Sequence, residues 1–381
     1  MVSSLAHPDR VCGIALTVPR PIPKELLAAM NQPFPSLDSL ELHFLPTLDL
    51  NFPPPFLRVQ PPHLRRLILT NDSDTPASLC HVLSCTISLV DLTLRLDRLF
   101  LSPFETPILS HLQGMPLLRR LKLGMRELHT SGTTLDPPNR TKDVLLPKLN
   151  FLCFTGHITQ LEGLMACLEA PSLQALRITL PDKPLLLAPH LSKFLRKRGK
   201  SFSCAQINAS SEGIKLFMVT PTHPPFKFIV NDSTSLELLG HVFSAVLARV
   251  QVVFLTEPFI PMSVPFLRLG HFRWRRFFEA FRGAKTLRIS YGIGSNDVLD
   301  IFDLGRRQFS LDILPALKEI ELNATMHPDT PTQVDEHDRT AILGWFQELV
   351  DAGKKEGHTL NVHWNTDRVH PKHFYDSDTD M

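Results

Sequence analysis

Leucines recur along the chain in one pattern, Pro-x-Leu-x-x-Leu-x-Leu/Ile/Phe, with copies opening at Pro35, Pro62, Pro116, Pro147, Pro171 and Pro315. Two further copies lack the proline, one over Leu89, Leu92 and Leu94, the other over Ala284, Leu287 and Ile289. A degenerate first copy runs through Val11, Ile14 and Leu16. Each copy ends in alternating apolar and polar positions, which predicts a strand with one buried face. The best-formed unit is Leu146–Leu180, read as a strand over Pro147–Phe154, a helix, and a second strand over Pro171–Ile178. Between the strands Ile158, Leu161, Leu164, Met165 and Leu168 fall at three- and four-residue steps, the spacing of one helical face. Strand, crossover helix and parallel strand form the right-handed unit that stacks, and one such unit cannot bury its own apolar face. The expected fold is therefore α/β: a leucine-rich-repeat solenoid over residues 1–364, a curved parallel sheet with helices on its convex side.

The intervals between copies are irregular, from the mid-twenties to the thirties, which suits helical connections with variable loops. Short helices are expected over Lys24–Met30, Leu79–Leu83, Ile108–Leu112 and Leu161–Leu168. The rhythm breaks over about 191–259. There a helix at Leu191–Arg198 leads into three β-like runs, Ser203–Asn208, Ile214–Val219 and Phe226–Val230, separated by Gly, Pro, Ser and Asn. These predict a β-rich irregularity near 200–230, after which a helix over Ser235–Ala248 and a strand over Val250–Leu255 resume. An amphipathic helix over Asp338–Ala352, stopped at Gly353, precedes a closing strand, Leu360–Trp364. Residues 365–381 end in DSDTDM and read as an acidic, disordered tail.

Composition adds exclusions. The chain has 381 residues, 43% of them apolar, and a net charge of +2, which gives no reason to expect nucleic acid or membrane as partner. No run of eighteen apolar residues and no basic-then-apolar leader is found, so neither a membrane span nor a signal peptide is read. Much of the 33-residue proline content sits two residues before the first leucine of a strand, as punctuation rather than low complexity. The six cysteines, Cys12, Cys80, Cys85, Cys153, Cys167 and Cys204, are too sparse for a disulfide framework; reduced, buried thiols in cytoplasm or nucleus are expected.

Taken in order, His7–Leu16, Pro33–Leu42, Leu146–Leu180, Ala245–Leu255 and Ala341–Trp364 resemble the repeat portion of the fungal F-box/leucine-rich-repeat proteins of mushrooms. The resemblance covers nearly the whole chain. It implies a non-catalytic interaction scaffold whose repeats present a substrate, the F-box itself binding the adaptor of a cullin ubiquitin ligase. The first repeat begins near Val11, leaving no room before it for an F-box, so adaptor binding is expected only if an F-box is restored upstream. The alternative is an F-box-less repeat protein with a binding or structural role and no ligase link.

If the paired leucines point inward, the alternate positions line the outer, concave face. They include Glu41, His43, Arg66, Asp91, Arg95, Arg120, Lys122, Arg177, Arg288, Glu319 and Glu321, with cations towards the middle of the array and acids at both ends. Arg66, Arg95, Arg120, Lys122, Arg177 and Arg288 are the candidate binding face, for a protein partner with an acidic surface. The competing reading is a solvated sheet whose charges pair with one another. The basic run Arg196–Lys200 falls at a helix C-terminus, where cations suit the helix dipole, and Phe277, Phe278 and Phe281 read as core rather than as a base-stacking platform. His358, His363, His370 and His373 lack the paired spacings and companion cysteines of a zinc site. No nucleophile elbow, Walker loop, His-Glu-x-x-His or dinucleotide fingerprint occurs, so no catalytic residue, metal or cofactor is assigned. Ser377 and Thr379 are candidate phospho-acceptors for an acid-directed kinase.

Overall fold

Proline stands at the second position of a recurring four-residue turn. Its fixed φ suits that place, and its missing N–H is not called on there. In a computed structural model of the chain the closing N–H of each turn donates to the carbonyl three residues back. Leu37 donates to Phe34, Leu64 to Pro61, Leu118 to Met115, Leu149 to Leu146, Leu173 to Ala170 and Leu317 to Leu314, at 3.0–3.3 Å. The turns Thr86–Leu89 and Phe281–Ala284 close in the same way without a proline. The prolines therefore open turns and not strands: the strands expected from Pro147 and Pro171 begin at Phe151 and Ala175.

The structure describes residues 7–18, 24–44, 61–71, 83, 86–96, 108–125, 144–180, 188–198, 202–210, 213–219, 226–230, 236–256, 277–291, 313–324, 336–355 and 357–365. The helix expected at Leu79–Leu83 falls largely outside these, as do a second dense basic cluster of the sequence, Arg273–Arg276, His370, His373 and the tail with Ser377 and Thr379. The fold is mixed α/β with a mostly parallel sheet. The chain divides into two compact units, Met1–Phe194 and Leu195–Met381.

In the first unit the strands are β1 (Gly13–Val18), β2 (Ser39–Phe44), β3 (Arg66–Asn71), β4 (Asp91–Leu96), β5 (Arg120–Met125), β7 (Phe151–Thr155) and β9 (Ala175–Thr179), all parallel and neighbours in that order. Two-residue strands β6 (Val144–Leu145) and β8 (Leu168–Glu169) pair separately. Register never slips between neighbours. Ile14, Leu40, Leu67, Leu92, Leu121, Leu152 and Leu176 share one row, and Leu16, Leu42, Leu69, Leu94, Leu123, Phe154 and Ile178 another; all are at most 6% exposed. Fully burying one such side chain is worth about 2 kcal/mol, and a one-residue slip would turn its strand's whole set to the other face. A backbone ladder at the strand entrances holds the register: consecutive N–H groups of Asp38 and Ser39 both donate to the Cys12 carbonyl. The same double donation recurs onto Asp38, Arg65, Val90, Arg119 and Asn150.

The helices here are α1 (Lys24–Met30), α2 (Ile108–Gln113), α3 (Ile158–Cys167) and α4 (Pro189–Arg198), the last running across the division between units. In α3, Ile158, Leu161, Leu164 and Met165 are buried, as their spacing predicts. Its start is capped by His157, whose Nδ1 accepts from the Thr159 N–H while its own N–H donates to Gln160 Oε1 at 3.0 Å. Glu162 on α3 caps α4, accepting from the N–H groups of His190 at 2.8 Å and Leu191 at 2.9 Å.

In the second unit β10 (Cys204–Ser210), β11 (Gly213–Val219) and β12 (Phe226–Val230) form an antiparallel meander, the irregularity expected near 200–230. Strand β10 also pairs in parallel with β13 (Val252–Thr256), followed by β14 (Thr286–Tyr291), β15 (Glu319–Ala324) and β16 (Asn361–Asn365). The entrance ladder reappears onto Ser203, Gln251 and Lys285, so the meander sits beside the parallel strands without disturbing their register. Helix α5 spans Leu236–Leu247, and α6 spans Glu336–Lys355. Contrary to the expected stop, Gly353 lies within α6; the chain turns at Gly357, whose φ of 83° favours glycine. Phe277 meets Phe278 and Phe281 edge to face, Phe278 and Phe281 are tilted to one another, and all three are at most 1% exposed, so they are core.

Candidate binding face

With the leucine rows closed on one side of the first unit's sheet, the alternate rows occupy the other. Strand register decides which of their side chains are neighbours. The row at the strand entrances carries Gly13, Ser39, Arg66, Asp91, Arg120, Phe151 and Ala175. The middle row carries Ala15, Glu41, Ile68, Thr93, Lys122, Cys153 and Arg177, and the third Thr17, His43, Thr70, Arg95, Gly124, Thr155 and Thr179.

Among the described residues both carboxylates on this face, Glu41 and Asp91, are already engaged. Glu41 Oε1 lies 2.8 Å from His43 Nε2 on the same strand. Asp91 Oδ2 lies 2.7 Å from Arg120 Nη2 on the next strand, the Asp91 side chain being 10% exposed and that of Arg120 38%. Among the described residues Arg66, Arg95, Lys122 and Arg177 make no ion pair.

Three of these four gather around Cys153. Lys122 and Arg177 are its register partners on either side. Arg95 comes from the next row: its Cγ lies 3.4 Å from where a Cβ on Gly124 would stand, so its stem lies against the space that glycine leaves open. Burial pushes the Cys153 thiol above its ordinary range, and the charges of Arg177, Lys122 and Arg95 pull in the opposite direction. Burial is the larger effect, so the group is a neutral thiol among three cations. The hydroxyl-bearing Thr155 and Thr179 complete the patch, both half-buried.

In the second unit the cation on the corresponding face, Arg288, is engaged by its neighbours. Arg288 stacks over the Phe254 ring at 5.1 Å from its centroid and meets Glu321 through Nε–Oε2 at 2.7 Å and Nη2–Oε1 at 3.0 Å. Glu319 accepts from Thr286 Oγ1 at 3.3 Å and has His363 Nε2 at 3.7 Å.

The six candidate cations therefore divide by environment. Arg95, Lys122 and Arg177 come together; Arg66 stands exposed on the entrance row; Arg120 and Arg288 are held by their own carboxylates. Sequence reasoning missed the Asp91–Arg120 pair and the place of Gly124 beside Arg95. Aligning the copies on their leucines places Asp91 beside Arg120 and Cys153 between Lys122 and Arg177, so that signal was present.

Arg196 and Lys197 are exposed in the last turn of α4, where the helix dipole favours cations. Among the described residues no group of three or more His, Cys, Asp or Glu side chains is placed to hold a metal ion, and no helix is long and apolar enough to cross a membrane. No family model matches this chain, and no curated protein matches it.

Proposed function

We propose that this protein is a non-catalytic protein-interaction scaffold, a leucine-rich-repeat solenoid serving as the substrate-binding repeat region of an F-box-type ubiquitin-ligase receptor. The solenoid reading is supported by the turn, the entrance ladder and the two leucine rows, which recur from strand to strand without a change of register. The ligase reading rests on the sequence resemblance.

The observation that carries the interaction reading is the set of cations Arg95, Lys122 and Arg177 on the open side of the sheet, which make no ion pair among the described residues. A sheet face serving only as solvated surface gains little from like charges on β4, β5 and β9 that all act on the same thiol, because they repel one another. An acidic partner relieves that repulsion and makes the local charge useful for recognition.

Two measurements test the two parts. Proximity labelling in cells, comparing the wild type with a triple variant Arg95→Glu, Lys122→Glu, Arg177→Glu, is expected to show neighbours lost on charge reversal; an unchanged neighbour set defeats the interaction reading. Co-purification of the full-length transcript product with the cullin-ligase adaptor tests the receptor reading. Neighbours without adaptor leave a repeat protein with no ligase role.

A further inference from the structure

The fixed register of the strands extends back into the turns that open them. The second residue of each turn stands four positions before its strand begins, so Pro35, Pro62, Ile87, Pro116, Pro147 and Pro171 form one column along the entrance edge of the first unit. All six residues are exposed. Hydrogen bonds between successive turns hold the column: Ser88 Oγ donates to the Leu64 carbonyl at 2.9 Å, and Ser172 Oγ to that of Pro147 at 2.6 Å. Among the described residues the exposed large apolar side chains are Ile87, Leu117 and Leu145, and all three lie on this edge, at the turns that open β4, β5 and β7. Ile87 is in the column itself, Leu117 follows Pro116, and Leu145 stands two places before Pro147. Apolar residues scattered singly over a surface need no explanation, whereas three gathered on a ridge of proline do. We propose that this edge is a docking surface for an amphipathic α-helix of a partner protein, one whose apolar stripe is flanked by acidic residues.

The spacing of the column selects a helix. Neighbouring strands stand about 4.8 Å apart, so the stacked turns offer one apolar step per strand at about that interval. A helix lying along the column presents its stripe once per turn, about every 5.4 Å, whereas alternate side chains of an extended segment recur at about 6.7 Å. Across two intervals the helix drifts by about 1 Å and the extended segment by about 4 Å, close to a full step. Width agrees as well. The ends of one turn lie within about 7 Å, and Leu117 and Leu145 flank the column on its two sides, so the strip matches one face of a helix about 10 Å across. The surface is also preorganised, since proline fixes φ and the closing hydrogen bond holds each turn, so docking costs little backbone freedom.

Charge identifies the flanks of that helix. Arg119 and Lys148 are exposed beside Leu117 and Pro147, and neither makes an ion pair among the described residues. Towards β2 and β3, Arg65 and Asp38 answer one another at 3.8 Å. Glu169, the register partner of Leu145, is itself engaged. The excess positive charge therefore falls where the exposed leucines are. Acidic residues on either side of an apolar stripe meet it, and a basic amphipathic helix is repelled.

This edge shares no residue with the cationic patch on the open sheet, so the proposal goes beyond the interaction reading and stands or falls separately. The full-length protein is probed by fluorescence anisotropy with a synthetic peptide of about fifteen residues, held helical by a hydrocarbon staple, with leucines at i, i+4 and i+7 and glutamates flanking them. Two controls keep the leucines: one has lysines in place of the glutamates, the other a central proline and no staple. The acidic helix is expected to bind at least about tenfold more tightly than either. Ile87→Asp changes a residue that is 68% exposed, so it should weaken binding by about tenfold without moving the thermal melt. The double variant Arg119→Glu, Lys148→Glu should prefer the lysine peptide, an exchange that loss of folding does not mimic. Charge reversal at Arg95, Lys122 and Arg177 should leave binding within about twofold. No binding at about 100 μM peptide, equal binding of the lysine or proline peptide, or a preference unmoved by reversal of Arg119 and Lys148 overturns the proposal. So does self-association in sedimentation velocity that Ile87→Asp abolishes while no peptide binds, which makes the edge a contact between copies. The interaction reading is judged apart from all of these, by neighbours lost in cells on reversal of the sheet cations.

Discussion

Arg120 Nη2 meets Asp91 Oδ2 at 2.7 Å across adjacent strands, and this pair consumes the carboxylate that stands nearest the cationic patch on the open sheet. The two partners differ in burial, so removing one is not equivalent to removing the other. Arg120→Ala leaves a carboxylate that is 10% exposed without its cation, an expected loss of about 3 kcal/mol. Asp91→Ala leaves a guanidinium that reaches water, and the expected loss is nearer about 1 kcal/mol. Urea denaturation of the two variants measures the difference; equal losses would show that the pair contributes only surface charge.

Gly283 and Ala248 make a second relationship of this kind, through backbone. A Cβ on Gly283 would stand 2.2 Å from the Ala248 carbonyl oxygen, with no flexible side chain to give way. Gly283→Ala is expected to cost about 2–3 kcal/mol or to prevent folding, since the two turns must move apart. Gly344 is the control: it is exposed in α6, and a Cβ there meets nothing within 4 Å. Gly344→Ala is expected to stabilise by about 0.5–1 kcal/mol through helix propensity. Thermal melts of both variants suffice, and destabilisation by Gly344→Ala would count against the helix placement.

Glu162 caps α4 at a cost in charge. Burial raises its carboxyl above the usual glutamate range, against the opposing pull of the Leu191 and His190 N–H groups. A raised folded-state value means that folding takes up a proton. The contribution is fully present below the unfolded value, about 4.3, and is lost as pH rises through the folded one. Wild-type stability relative to Glu162→Gln should therefore fall as pH rises across that window. A difference that grows with pH would show that the capping bonds outweigh burial.

Cys153 should react slowly. Its thiol is held neutral by burial, and the thiolate is the nucleophile, whereas Cys12 is exposed. At mildly alkaline pH iodoacetamide is expected to modify Cys12 first. Arg177→Ala or Lys122→Ala should slow Cys153 further, because each removes a charge that favours the thiolate. Mass spectrometry of tryptic peptides over time reads both effects, and faster labelling of Cys153 in either variant would contradict the placement of those cations.

By itself the sequence determined the elements whose cause is local. Leucine alternation set which face of each strand is buried, the three- and four-residue spacing set the buried side of α3, and proline marked most of the turns. It misplaced the strand starts at Pro147 and Pro171 because a turn and a strand entrance look alike until the closing hydrogen bond is seen. It also stopped α6 at Gly353, since nothing local distinguishes a buried helical glycine from the capping one at Gly357.

Tertiary structure decided what the outward residues do. Arg66, Arg95, Arg120, Lys122, Arg177 and Arg288 are alike in the sequence, each a cation at an outward strand position. Whether a cation is spent or available depends on the residue at the same height on the next strand: Asp91 beside Arg120, Glu321 and Phe254 beside Arg288, Gly124 beside Arg95, Cys153 between Lys122 and Arg177. These neighbours lie some twenty-five to thirty-five positions apart in the chain, about one repeat. Burial follows from a pattern within one strand, whereas a charge's partner is set by lateral register, and register exists only once the strands are paired.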